Sequence, residues 1–364
     1  MKVGIAGVGL LGSSMGYVLR KKGWAEKVVG IGRNEGKLKK AVEVGAIDSY
    51  LLKPDNSMKE LDIVVIALPV EMIPEYVKSI IPYLKDGVII TDVGSTKQKI
   101  TEGVEKVLPD NMHFVGGHPM AGSEKTGVEA MDPFLFENAV YVVTKSKKSN
   151  EESLNMIKDM AKMLDSRVIE MEAAEHDISV AAISHIPHIA ASVLVNTASR
   201  IDRSSPNVLS LAAGGFRDTT RIAAGSPEIW RDISVSNRNM ILEALDIFEE
   251  ELKKFREAVA DSDGKRLYDL FDEAKKIKEG MHKKKKGILG PMTEIVIYVP
   301  DKPGIIGNIA NIFGNAGVNI KDIELLHVRE NEGGSIRVGV DAEIESEFIS
   351  KLLKENGFEF KIIE

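Results

Sequence analysis

The sequence predicts an α/β protein in three successive parts: a mainly parallel sheet layered by helices, an all-helical segment and a small βαββαβ fold. Three observations predict it. Short apolar runs alternate with helical patterns as far as residue 171, which implies parallel strands covered on both faces. From 173 to 281 no strand pattern occurs. From 293 the order strand, helix, strand, strand, helix, strand returns, the ferredoxin-like arrangement. The chain has 364 residues, too many for one compact core. The expected boundaries are 1–172 for the sheet domain, 173–281 for the helical domain, 282–292 for a linker and 293–364 for the last domain.

Residues 2–6 alternate as a strand and run directly into Gly7-Val8-Gly9-Leu10-Leu11-Gly12, after which 13–22 read as a helix and 28–32 as a second strand. A lone G-x-G-x-x-G is a weak signal; a strand before it and a helix after it give it meaning. Gly7 permits the tight turn, Gly9 lets the backbone approach a pyrophosphate, and Gly12 allows close helix–strand packing. With Leu10 and Leu11 they place a phosphate on a helix N-terminus, so this is a Rossmann-type dinucleotide-binding domain. An acidic residue is expected at the tip of the second strand, to hold the adenosine ribose. Gly32-Arg33-Asn34 stands there instead. Arg33 suits a 2′-phosphate and favours NADP or dual use. Two other readings stay open: Arg33 stacking on adenine or facing water, and Glu35 reaching back to the ribose. The cofactor is therefore NAD or NADP.

Further buried strands are expected at 63–68, 88–92, 114–117, 140–144 and 168–171. The helical segment is broken near Ser204-Ser205-Pro206, Gly214-Gly215 and Gly225-Ser226-Pro227. Leu242, Leu245, Phe248, Leu252 and Phe255 form a helical stripe. Residues 178–201 are the most apolar, but His185, Pro187, His188 and Asn196 interrupt them. That reads as a buried helix rather than a bilayer span. It needs more partners than one small helical domain supplies, so a homodimer is expected. His282 to Pro291, HKKKKGILGP, reads as a solvated linker. Strands at 294–299, 320–329, 335–344 and 358–363 and helices at 305–316 and 345–356 complete the chain.

Composition excludes several classes. Hydrophobic residues make up 43% and charged residues 28%, an ordinary soluble profile. A net charge of −7 gives no footprint for nucleic acid. Without cysteine there are no disulfides or thiolate metal sites. His185 and His188 have a spacing that could suit a metal, but no carboxylate or Cys completes a set, so none is expected. Met1 leads straight into a strand, with no signal-peptide pattern. A cytoplasmic enzyme without a membrane partner is the expectation.

The chemistry is concentrated in three stretches. His113-Phe114-Val115-Gly116-Gly117-His118-Pro119-Met120-Ala121-Gly122-Ser123-Glu124 places an imidazole just past a strand, where loops at the sheet's carboxyl edge meet the cofactor. An imidazole titrates near pH ~6.5 and can accept a proton. Thr91-Asp92-Val93-Gly94-Ser95-Thr96-Lys97 offers a hydroxyl after another strand. Gly214-Gly215-Phe216-Arg217-Asp218-Thr219-Thr220-Arg221 offers fixed positive charge.

Together with the glycine loop and Ser184-His185-Ile186-Pro187-His188, these stretches resemble the prephenate dehydrogenases, the tyrosine-pathway oxidoreductases, from residue 1 to about 281. The last domain, with Asp301-Lys302-Pro303-Gly304 and Gly317-Val318-Asn319-Ile320, resembles an ACT domain. The resemblance implies oxidative decarboxylation of prephenate to 4-hydroxyphenylpyruvate with hydride transfer to NAD(P)+. It implies His118 as catalytic proton acceptor and Ser95 as the residue that orients it and touches the nicotinamide. His188 would face the substrate, His185 would support the cofactor side, and Glu124 would close the pocket. Arg221 would bind a substrate carboxylate, which a guanidinium matches bidentately. Trp230 reads as an anchor of the helical domain. Asp301, Gly304 and Asn319 would hold an amino-acid effector, tyrosine being the natural guess, with Asn319 at the same end of the fold as the glycine loop. NAD-using members carry Asp where Gly32-Arg33-Asn34 stands here.

Rivals remain. Arogenate dehydrogenase takes the same ring with an amino acid in place of the keto acid. A β-hydroxyacid dehydrogenase would need a catalytic Lys, and none lies between 173 and 201. A catalytically inactive amino-acid sensor would not need Ser95, His118, His188 and Arg221 intact.

Overall fold

Runs of valine and isoleucine too short for helices become the first sheet: β1 (Lys2–Ala6), β2 (Lys27–Ile31), β3 (Ser49–Leu51), β4 (Ile63–Ile66), β5 (Ile89–Asp92), β6 (His113–Pro119), β7 (Val140–Thr144) and β8 (Arg167–Met171). The structure, a computed structural model, describes residues 1–122, 126–205, 207–285, 292–329 and 333–363. The strand order is β3-β2-β1-β4-β5-β6-β7-β8. β1 to β6 run parallel, while β7 pairs antiparallel with β6 and β8 runs parallel to β7. The order reverses between β1 and β4, so the carboxyl ends of β1, β4, β5 and β6 open on one edge. That edge is where a doubly wound sheet binds its ligand.

Two apolar layers sandwich the sheet. One contains Ile5, Met15, Leu19 and Ile157, and the other Val64, Ile90, Ile73 and Phe114, all fully buried. The expected strands fall within a few residues of those observed, except β3. It is a three-residue edge strand with no apolar alternation to announce it.

Contacts divide the chain into two compact units, Met1–Glu251 and Leu252–Glu364. The first contains the sheet and the helices Ala173–Val180, Ile186–Asp202, Gly214–Thr220 and Pro227–Ser236, with the start of the helix Arg238–Ala260. Ala181–His185 forms a wider turn between two helices in register, a feature often found at functional sites. By length and composition alone, Ala173–Asp202 would pass as a membrane-crossing helix. Its buried polar residues are His176, Asp177 and His185, and all three make polar contacts inside the unit. Ile183, Val193, Leu194 and Ile201 on the same stretch are exposed.

In the second unit the helix Gly264–Lys285 runs on through Lys283, Lys284 and Lys285. The expected linker is therefore helical at its start, because lysine is a good helix former. The rest of it, 286–291, lies outside the described residues. β9 (Met292–Val299), β10 (Ile320–Arg329), β11 (Gly333–Asp341) and β12 (Glu359–Ile363) form an antiparallel sheet in the order β10-β11-β9-β12. The helices Ile305–Asn315 and Ser346–Glu355 contribute Ile309, Phe313, Ile349 and Leu353 to its core. The expected βαββαβ order is the observed one.

Candidate active site

The nucleotide loop is built around two close approaches. Gly7 has φ +98°, and a Cβ on Gly12 would lie 2.0 Å from the Gly7 carbonyl. Only glycine lets helix and loop come this close. The helix Leu10–Lys21 begins after Gly9, which gives it no side-chain cap, and its first turn has no acidic residue. A Cβ on Gly9 would meet only open space. The free N–H groups there and that open ground fit a pyrophosphate.

At the second strand tip Arg33 is exposed. Asn34 caps the next helix by accepting from the Lys37 N–H. Glu35 accepts from Tyr50 Oη at 3.1 Å and pairs with Lys39 at 3.0 Å. The Lys39 ammonium foremost, and then the Tyr50 hydroxyl, hold its carboxylate below the usual range. The alternative of Glu35 reaching a ribose must compete with both partners.

Ser95 and His118 follow from β5 and β6. Gly116 and Gly117 let β6 press onto its neighbours: a Cβ on Gly117 would lie 2.6 Å from the Asp92 carbonyl, and one on Gly116 would lie 2.2 Å from Thr144 Oγ1. Beneath them is a fully buried ion pair between Lys97 and Asp92. Lys97 Nζ also donates to the Gly117 carbonyl at 2.8 Å, and Asp92 accepts from the Gly117 N–H at 3.1 Å. Burial draws the Lys97 pKa down, and Asp92 draws it back up. The residue before His118 is thus clamped through both its backbone groups.

His118 Nδ1 lies 2.8 Å from His176 Nε2, with the rings edge to face. His176 Nδ1 lies 2.7 Å from Asp177 Oδ1. Asp177 in turn accepts the Lys97 N–H at 2.7 Å and the Gln98 N–H at 2.9 Å. A carboxylate from the helical part thereby caps the helix Gln98–Glu105, whose own first residues supply no side-chain cap. Burial holds the His118 pKa well below the ordinary imidazole value, and His176, Lys97 and His185 add to the effect.

Of the two ring nitrogens of His118, Nδ1 is engaged by His176. Ser95 is half-buried and makes no hydrogen bond to His118 among the described residues. His185 is buried, with Nδ1 3.2 Å from Asn237 Nδ2, and its pKa is pushed down to about 4 by burial against the opposing pull of Asp177. Asn237 Nδ2 also donates to the Asp177 carbonyl at 2.8 Å.

His188 stacks on Trp230 with ring centres 3.5 Å apart. Trp230 is therefore more than an anchor: it is half-buried and lies face to face with His188 and edge-on to His185 at 6.0 Å. Burial lowers the His188 pKa, a hydrogen bond to the Ile222 carbonyl raises it, and the Arg221 charge lowers it. Arg221 is exposed. The geometry brings together His118, His176, His185, His188, Trp230 and the charge of Arg221. Glu124 lies outside the described residues.

The comparisons with known proteins decide the family. Residues 15–170 match the family model "Prephenate dehydrogenase, nucleotide-binding domain", and residues 172–273 match "Prephenate dehydrogenase, dimerization domain". Prephenate dehydrogenase of Bacillus subtilis is 37% identical over 93% of this chain and 92% of its own length. The chain belongs to the prephenate dehydrogenase family. Residues 293–353 match the ACT domain. The crystal structure of prephenate dehydrogenase from Aquifex aeolicus, in complex with hydroxyphenyl propionate and NAD+, is similar with a TM-score of 0.71 and 32% identity. It covers 77% of this chain and 98% of the Aquifex chain. The Synechocystis arogenate dehydrogenase structure is similar at 0.69 and 28%, over 77% of this chain.

Sequence reasoning missed His176, Asp177, Lys97 and Asn237. The available signal was Glu175-His176-Asp177, a charged triplet where the last strand gives way to an apolar helix. Its meaning depends on a fold that brings Asp177 onto an amide 80 positions away.

In the ACT domain Gly304 has φ +86° at the start of its helix, and a Cβ there would meet open space. Asp301 and Asn319 are exposed. The strand register corrects the expectation that they share an end. β9 pairs its last residue, Val299, with Gly334, whereas Ile320 pairs with Val340 at the other end of β11. Asn319 and Gly304 therefore lie at opposite ends of one chain's sheet. The reason is that β9 and β10 run parallel, each being antiparallel to β11.

Proposed function

We propose that this chain converts prephenate to 4-hydroxyphenylpyruvate and CO2, passing a hydride to NAD+ or NADP+ in tyrosine biosynthesis. The observation that carries the reading is His118. It is a half-buried imidazole with a depressed pKa, on the sheet edge that carries the nucleotide loop, within reach of His176, Lys97 and His185. Prephenate bears a hydroxyl on C4 and a carboxylate on C1. Hydride leaves C4, CO2 leaves C1, and the ring becomes aromatic. The bound nicotinamide supplies the hydride acceptor; Gly7, Gly9, Leu10, Leu11 and Gly12 would hold its pyrophosphate and Arg33 its adenosine end.

His118 takes the hydroxyl proton as C4 becomes carbonyl-like and returns it to the phenolate oxygen, so no net proton is released. A neutral imidazole is required for this, and burial keeps it neutral. Arg221 binds a substrate carboxylate, and His188, held by Trp230, faces the ring. Ser95, which follows β5, would touch the nicotinamide side, and His185 would back that side.

Exposed Leu242, Phe248 and Leu252 on one helix, with Val193 and Ile201 on another, support a homodimer. The ACT domain supports an amino-acid effector, for which we take tyrosine. A cytoplasmic setting fits a biosynthetic enzyme of this kind.

The test is turnover of purified protein with prephenate or arogenate, each with NAD+ or NADP+. Nicotinamide reduction with prephenate supports the reading. Reduction with arogenate alone would assign the chain to the arogenate branch, as the Synechocystis likeness allows. No reduction in any combination would overturn it.

A further inference from the structure

We infer that His176 and Asp177 are positioning residues that fix His118 with its proton on Nδ1, leaving Nε2 as the accepting atom. This rests on the reading of His118 as proton acceptor. The inference follows from which atoms can donate. Asp177 accepts two backbone N–H groups, from Lys97 and Gln98, so it is held as a carboxylate that can only accept. His176 Nδ1 lies 2.7 Å from that carboxylate and must carry a hydrogen. A neutral His176 then presents a lone pair on Nε2. His118 Nδ1, 2.8 Å away, must donate to it. The remaining nitrogen of His118, Nε2, is bare.

All three residues are secured independently. His176 and Asp177 are 1% and 2% exposed. Asn237 binds the Asp177 carbonyl at 2.8 Å, and Lys97 and Asp92 clamp Gly117 next to His118. A second effect follows. When His118 takes a proton at Nε2, its positive charge faces a nitrogen acceptor backed by the Asp177 carboxylate. No proton moves to Asp177. The pair orients and steadies the imidazolium, as a buried carboxylate does for the histidine of a hydrolase triad.

The alternative arrangement is a doubly protonated His176 donating to both neighbours, which would leave the proton of His118 on Nε2 and block it as a base. That would make His176 a buried cation beside Asp177, and the position of the His118 proton separates the two arrangements.

Three measurements test the proposal on the full chain. Nitrogen-15 NMR of histidine-labelled protein at neutral pH, with the His118 signals assigned by their loss in His118→Asn, should show a pyrrole-type Nδ1 and a pyridine-type Nε2. A protonated Nε2 would overturn the proposal whether or not the His176 variants fold. His176→Leu should lower kcat about ten- to a hundredfold, the scale seen when a partner that orients a metal-bound imidazole is lost. The KM for nicotinamide should stay near its starting value. His176→Gln, which still offers an acceptor to His118 and a donor to Asp177, should recover most of that loss. Equal kcat in wild type and His176→Leu would refute the positioning role. His118→Asn separates this outcome from failure of the underlying reading: if that variant also turns over normally, His118 is not the acceptor at all.

Discussion

At the scale of single residues, the site centres on a half-buried imidazole whose pKa is held well below the ordinary value. His118→Asn keeps shape and polarity but removes the proton acceptor, and kcat should fall by about 10²–10⁴. The pH profile has a definite sign. Protonated His118 cannot accept, so activity is lost as pH falls through its pKa. Because burial depresses that pKa, activity should persist into the mildly acidic range where a free imidazole would already be charged. An acid limb at or above the ordinary imidazole value would contradict the burial argument. Stability follows a related course. His185 is neutral in the fold down to about pH 4, whereas in the unfolded chain it charges near ~6.5. Acidification between those values therefore favours unfolding. Arg33→Ala should raise the KM for NADP+ more than that for NAD+; equal changes would show that Arg33 does not sense the 2′-phosphate. Residues such as His118 were legible because they sit in glycine-rich stretches at the carboxyl end of a strand, although His118 itself lies inside β6, paired with Val142, rather than just past it. His176 and Asp177 were not, because their role lies entirely in partners 58 and 80 positions away.

Elements were easier to read than partners. Strand runs and the glycine loop obey local rules, so seven of the eight strands of the first sheet were expected where β1, β2 and β4 to β8 stand. β3 escaped because three residues cannot show a period. The helical part shows a different limit. The stripe of Leu242, Phe248 and Leu252 has the spacing of a core face, yet these side chains are 44%, 40% and 58% exposed. Periodicity says that a face is apolar; it does not say whether the same chain covers it. If a second copy does, Phe248→Glu should move the protein from dimer to monomer by light scattering. A variant still dimeric at micromolar concentration would place the interface elsewhere.

For the whole molecule, the ACT domain and the candidate catalytic residues occupy different stretches of chain. The Aquifex enzyme is covered almost completely by 77% of this one, and every candidate catalytic residue lies before the lysine run. A protein ending at Gly290 should turn over but lose its response to tyrosine, while the full chain keeps it. Coupling of ~1–3 kcal/mol is the expected scale. Identical inhibition constants would place tyrosine in the catalytic pocket instead. Because Gly304 and Asn319 sit at opposite ends of one sheet, both could touch one ligand only if two chains contribute.

The Asp177 carboxylate has a further consequence. It belongs to the apolar helical stretch but closes the start of a helix that packs on the sheet. The amide protons of Lys97 and Gln98 are therefore protected only while the two layers stay docked. Their exchange with deuterated solvent becomes a clock for docking itself. Slow exchange that collapses together at both amides, ahead of the strand amides of β5, would mean that the helical layer lifts away before the sheet opens.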